Sequence, residues 1–260
     1  MKHLNRSLGI TMACFSFMML TAYFGLVSYF EFPDILRTEQ SYMLNKFIEN
    51  QNVIVPFYYL FVLSQVTFIA IVLQFHSYYR KATSALLTVA TGFGILAGLC
   101  QAIGFLRWPF LTPYLAGVIT DPNSTIASKQ AAEIVFKSFH QFAGVAVGEN
   151  LFFVLEGIWG ICFGLFLLIT KSLNKNLSLI PLAAGIGILI YSLEQFGGSF
   201  SILAPLNVIA HGAIVFWFIA LTIIFLREKN KISGDMTTGK RSTVILWVVY
   251  LLIIVPGLLA

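Results

Sequence analysis

The sequence predicts an all-α, polytopic transmembrane helix bundle with seven spans, the N-terminus in and the C-terminus out. Three observations carry that expectation. Of 260 residues, 58% are hydrophobic and only 10% charged, whereas a water-soluble domain carries about 25% charged residues. The apolar residues gather in runs near the ~20 residues that a helix needs to cross a hydrocarbon core. Basic residues then alternate between heavily and lightly charged connections. No polar stretch is long enough to fold by itself, so residues 1–260 are expected to form a single transmembrane domain.

The first span, 8–30, follows Lys2 and Arg6 but is too long for a signal-peptide core and lacks a small-x-small cleavage site, so it reads as a retained helix. Beyond Pro33, the residues Leu36, Met43, Leu44, Phe47 and Ile48 recur near helical spacing, as in an amphipathic helix lying at the interface. Spans follow at 54–75 and 84–106. The stretch from Arg107 to Tyr114 holds Pro109 and Pro113 and is expected to turn along the headgroup layer, with Trp108 and Tyr114 as anchors. Asn123-Ser124-Thr125 reads as a turn and helix cap. The fourth span covers 142–170. One helix over 131–170 would reach ~60 Å, so 131–141, with His140, is expected outside the core. The fifth span, 177–194, contains Pro181, Gly185 and Gly187, which should loosen it, and Gly197-Gly198 supplies a turn. Spans 205–226 and 243–259 complete the set. The pairs Gly94/Gly98, Gly144/Gly148 and Gly160/Gly164 have the spacing that lets helix backbones approach closely.

Charge sets the orientation. Lys2, Arg6, Arg80, Lys81, Lys171, Lys175, Arg227, Lys229, Lys231, Lys240 and Arg241 fall on one side, eleven in all, against five on the other: Arg37, Lys46, Arg107, Lys129 and Lys137. The positive-inside rule places the eleven in the cytoplasm. The net charge of +5 is thereby accounted for by topology, and nucleic acid is not an expected partner; the lipid bilayer is. Cys14, Cys100 and Cys162 lie inside apolar runs at no metal-ligand spacing.

An ionisable side chain at membrane depth costs at least ~2.5 kcal/mol on insertion scales and should face a partner or a cavity. Counting ~1.5 Å per residue from the basic ends puts Glu156 about 22 Å and His211 about 24 Å up, above the midplane, and Glu149, Glu194, Asn207, Gln101 and Arg107 near the outer boundary. All fall in the outer half. Glu149 and Glu156, seven apart, share a helix face, as do Asn207 and His211, four apart. Glu149 can pair with Arg107, Glu156 has no obvious basic partner, and Glu194 sits where water can reach it. Tyr58, Tyr59 and Gln65 either complete a pocket or pack.

Arg107-Trp108-Pro109-Phe110-Leu111-Thr112-Pro113-Tyr114-Leu115-Ala116, Gly144-Val145-Ala146-Val147-Gly148-Glu149-Asn150-Leu151 and Phe32-Pro33-Asp34-Ile35-Leu36-Arg37 resemble a bacterial multi-pass family known as domain of unknown function 4386. The family has a His after its Gly-Glu pair where this chain has Asn150. The resemblance implies a bacterial inner-membrane protein and supplies no reaction. No cofactor is expected: 243–259 holds no lysine for a retinal Schiff base, and His140 is poorly placed to share a haem with His211. A metal-dependent intramembrane hydrolase would need three converging ligands, for which the acids and His211 are the available set. The favoured expectation is an outward-facing polar pocket that binds or transports a small cation, a proton or an amphipathic molecule. An accessory or sensor subunit is the alternative, and the reading leans away from an enzyme.

Overall fold

The computed structural model describes residues 2–82 and 84–227, which are helical with short connections and no strand among them. Six helical stretches are long and apolar enough to span a membrane among these residues: 5–30, 40–82, 85–120, 126–170, 175–196 and 198–227. The expected span 243–259 lies outside the described residues.

Helix α1 is Lys2–Phe30 and α2 is Gln40–Tyr79. Helix α3, Ala85–Leu106, passes through a π-helical turn at Arg107–Leu111 and resumes as α4, Thr112–Thr120. Helix α5, Ile126–Phe139, runs through a longer π-helical segment, His140–Leu151, into α6, Phe152–Thr170. Helix α7 is Lys175–Tyr191 and α8 is Pro205–Arg227.

The helices close into a ring in the order α1, α2, α3, α6, α7, α8 and back to α1. Neighbours are antiparallel, as matched depths show. Met19 meets Ser64 while Thr11 meets Gln74, and Phe15 packs on Phe218 while Gly9 meets Leu226. The 79–85 and 170–175 turns mark the near end of the bundle, and the opposite end is the far end.

Small residues set the tightest contacts. A Cβ on Gly160 would stand 2.7 Å from the Pro181 carbonyl oxygen, and one on Gly164 2.6 Å from the Leu182 nitrogen. Helices α6 and α7 therefore touch backbone to backbone. Between α3 and the long π segment, Gly104 and Gly148 meet in the same way.

Pro181 does not loosen α7, which stays helical across it. Proline has no N–H for the carbonyl four residues back; that carbonyl, on Leu177, accepts instead from the Trp217 indole N–H at 2.8 Å. The defect in one helix is thus stitched to its neighbour.

Two expectations about the far end are corrected. The 107–114 stretch does not turn along the interface: α3 continues through the π-helical turn, which contains Pro109, into α4, whose second residue is Pro113. Trp108 is accordingly fully buried rather than an interfacial anchor, while Tyr114 is exposed. Residues 131–141 likewise belong to a helix continuous with α6, and His140 is buried, its ring stacked on Phe136 at 6.0 Å. The expected amphipathic helix exists, with Met43, Leu44 and Phe47 buried, but is the first part of α2. A kink at Asn50 separates it from the span, and the Asn50 amide bonds the Lys46 carbonyl. Thr125 caps α5 as anticipated, accepting from the Ser128 N–H.

Two apolar cores result. One, in the near half, is built on Phe68, Phe75, Trp159, Phe163, Trp217 and Phe218. The other, at the far end, is built on Phe30, Phe47, Tyr58, Phe61, Trp108 and Phe136.

Candidate functional site

Between the two cores lies a cavity of about 260 Å³. Its wall includes Gln101, Arg107, Glu149, Asn207 and His211, five residues that the sequence singled out. The other two are joined to it through partners: Glu156 to His211, and Glu194 to Arg37. Apolar side chains form most of the rest, including Met19, Leu20, Phe61, Phe105, Phe153 and Val215.

At the far-end mouth, the connection after α1 folds back over the bundle. Ile35 is buried and fixes the short helical turn Asp34–Arg37. This carries the Arg37 guanidinium to Glu149 at 2.6 Å and Glu194 at 3.2 Å, with the Gln195 side-chain oxygen at 3.3 Å. Burial works against the arginine's charge, but the two carboxylates outweigh it and hold Arg37 above its ordinary pKa. Next to this latch, Asn150 donates to the Ser192 carbonyl at 3.1 Å. Glu31 at the end of α1 is bonded by Lys46 and Tyr42, which lower its pKa, and so secures the same connection to α2.

The Arg107–Glu149 pair that the sequence allowed does not form: Arg37 bonds Glu149 Oε2, and Arg107 donates to the Gly104 carbonyl instead. Glu194 is correspondingly not a solvated interfacial acid; its side chain is 11% exposed and is held by Arg37.

Deeper in the bundle, Glu156 does have a basic partner. Its Oε2 lies 2.9 Å from His211 Nε2, and His211 Nδ1 lies 2.9 Å from the Asn207 carbonyl oxygen. Asn207 in turn donates to the Tyr191 hydroxyl at 3.2 Å. A backbone carbonyl only accepts, so Nδ1 carries a hydrogen. The short Nε2–Oε2 contact then needs one shared proton, as imidazolium with carboxylate or as imidazole with carboxylic acid. Either way the pair is neutral overall, which suits its depth.

Arg107 is buried and contributes to the wall. Its guanidinium lies 5.1 Å above the Trp108 ring and donates to the Gly104 carbonyl of the preceding turn. Gly144 packs against that guanidinium: a Cβ there would fall 2.6 Å from it, so any larger residue would displace the arginine's end.

Sequence reasoning missed Arg37, Trp108, Tyr191 and Gly212 on this wall. Nothing in local periodicity marks Arg37, which reads as one more charge in a connection. Trp108 was hidden by the two prolines beside it. Of the three further candidates, Tyr58 lines the cavity; Tyr59 packs against Phe110, and Gln65 bonds Ser64 and Met19. Among the described residues, no three of His, Cys, Asp or Glu are grouped to hold a metal ion.

No curated protein and no solved structure matches the chain. One family model does, over residues 9–226, which include nearly all of the ring of helices and the whole cavity wall. The chain belongs to the multi-pass membrane family described as Domain of unknown function (DUF4386).

Proposed function

We propose that this membrane protein binds an amphipathic small molecule drawn from the bilayer, and holds a proton on Glu156 and His211 beneath it. The observation that carries this reading is the cavity's shape and lining. Its apolar wall reaches the bundle surface between α1 and α8, where the lining residues Phe24, Val208 and Phe216 are exposed. In the near half these helices are in contact, Phe15 on Phe218. Such an opening admits a ligand sideways from lipid, while charged groups line the opposite wall. Ligand pockets commonly combine a mainly apolar wall with a few placed polar groups.

The proton-holding role rests on hydrogen-bond logic. Removing the shared proton leaves carboxylate facing a ring nitrogen lone pair, so the pair keeps its proton until a ligand or conformational change alters its surroundings. Transport of the ligand or proton extends the same reading, as does placement in a bacterial inner membrane with the near end in the cytoplasm. A small cation is less suited, since Arg37 and Arg107 both stand on the polar wall.

Gly212 offers a direct test. It lines the cavity, and a Cβ built there meets nothing within 4 Å. Gly212→Leu should fold and occupy the cavity. In thermal-shift assays against single-chain amphiphiles, wild type should be stabilised and Gly212→Leu should not respond; equal responses would remove the cavity as the binding site.

A further inference from the structure

We infer that the Arg107 side of the cavity seats the oxyanion of a single-chain amphiphile: a carboxylate or phosphate on an apolar tail. The inference rests on the amphiphile-binding reading above and names the headgroup that this reading leaves open.

A guanidinium offers five N–H donors. Among the described residues, the Arg107 guanidinium makes one hydrogen bond, to Gly104, and no ion pair within 4 Å, although the residue is only 8% exposed. Its Nε has no partner. The acid nearest in kind, Glu149, is engaged by Arg37. Glu149 acts on Arg107 only through space, so the guanidinium keeps unused donors that a bound oxyanion could fill.

The surrounding atoms agree. Trp108 Nε1 and the Tyr58 hydroxyl are also buried without hydrogen-bond partners, on rings stacked at 4.8 Å and 11°, and both residues line the cavity. Three unsatisfied donors therefore share one wall. Buried polar atoms are normally paired, and three unpaired donors on residues that line one cavity point to a ligand that completes them. The unpartnered acceptors on the wall, Gln101 Oε1 and Glu149 Oε1, suit a hydroxyl placed beside the oxyanion. The tail then lies along Met19, Leu20 and Phe216 toward the opening between α1 and α8.

The test uses the full chain in neutral detergent and four probes sharing one tail: octanoate, octyl phosphate, octanol and octyltrimethylammonium. Binding is read by calorimetry for wild type, Arg107→Met, Arg107→Lys and Trp108→Phe. Octanoate or octyl phosphate should bind wild type about tenfold or more tightly than octanol, in keeping with a charge-assisted hydrogen bond. Arg107→Met should erase that difference and leave octanol unchanged; Trp108→Phe should reduce it partly. If Arg107→Met does not fold, Arg107→Lys must still weaken the anions relative to octanol, because a lysine lacks the planar fork. Preference for whichever anion binds better separates a fatty-acid-like ligand from a phospholipid-like one. Anions binding no better than octanol, or unaffected by both Arg107 variants, would overturn the headgroup assignment while the cavity reading stands. Tightest binding by the ammonium probe would overturn it in favour of Glu149. If no probe binds wild type any better than Gly212→Leu, the cavity reading itself falls.

Discussion

Glu156 and His211 each bring a cost into the membrane that the other helps to offset. Replacing one partner of such a pair typically costs about 3–5 kcal/mol, whereas replacing both with apolar groups is often close to neutral. His211→Leu alone should therefore lower thermal stability sharply, and adding Glu156→Leu should recover most of the loss. Unfolding midpoints of the two single variants and the double variant check this; an additive double variant would mean the side chains do not share a proton. Sequence alone showed that both residues were expensive and near the same depth, because depth follows from counting along a helix. It could not show that they meet, since their contact depends on how α6 and α8 pack through the intervening α7. The latch was less legible still. Arg37 reaches Glu149 and Glu194 across 112 and 157 positions, and a pairing over that distance leaves no local pattern. Arg37→Gln should cost about 1–3 kcal/mol and raise amide exchange in 31–37 and 192–196; unchanged exchange there would show that the latch is not what holds the mouth closed.

At the scale of helices, the spans within 8–226 were readable because hydrophobic length is a strong signal. Their ends were not. Ordinary helical geometry, about 3.6 residues per turn, placed His140 on the wrong face and outside the core. The π-helical segment from His140 to Leu151 turns less per residue, so a regular helical wheel misplaces side chains across it. The same departure carries the α3 helix past Pro109. The Gly160/Gly164 spacing, by contrast, was informative as written, since the backbones of α6 and α7 do meet there. Pro181 gives a sharper test. Trp217→Phe should leave the Leu177 carbonyl without a donor and cost about 1–3 kcal/mol. Adding Pro181→Ala restores an N–H to α7 and should recover part of that loss. If Trp217→Phe is as damaging in the Pro181→Ala background as in wild type, the indole acts through packing alone.

For the whole molecule, the organising feature is an antiparallel ring whose near half is filled with aromatic side chains and whose far half surrounds a cavity. Composition foretold the membrane, and the clustering of titratable residues foretold which half of the bundle would be polar. Neither could reveal which helices would enclose the cavity, because that depends on ring closure between the first and last described helices. The proposed orientation is open to a labelling experiment. In a chain with Cys14, Cys100 and Cys162 replaced by alanine, a membrane-impermeant maleimide added to whole cells should modify Asn123→Cys at the far end and spare Lys81→Cys at the near end. The reverse labelling would turn the bundle over and put the cavity mouth toward the cytoplasm.

The most direct measurement is the comparison of wild type with Gly212→Leu in calorimetric titration by octanoate. A saturable signal in wild type that vanishes when the cavity is filled, with both proteins equally folded, is the expected result. Identical titration curves for the two would contradict it.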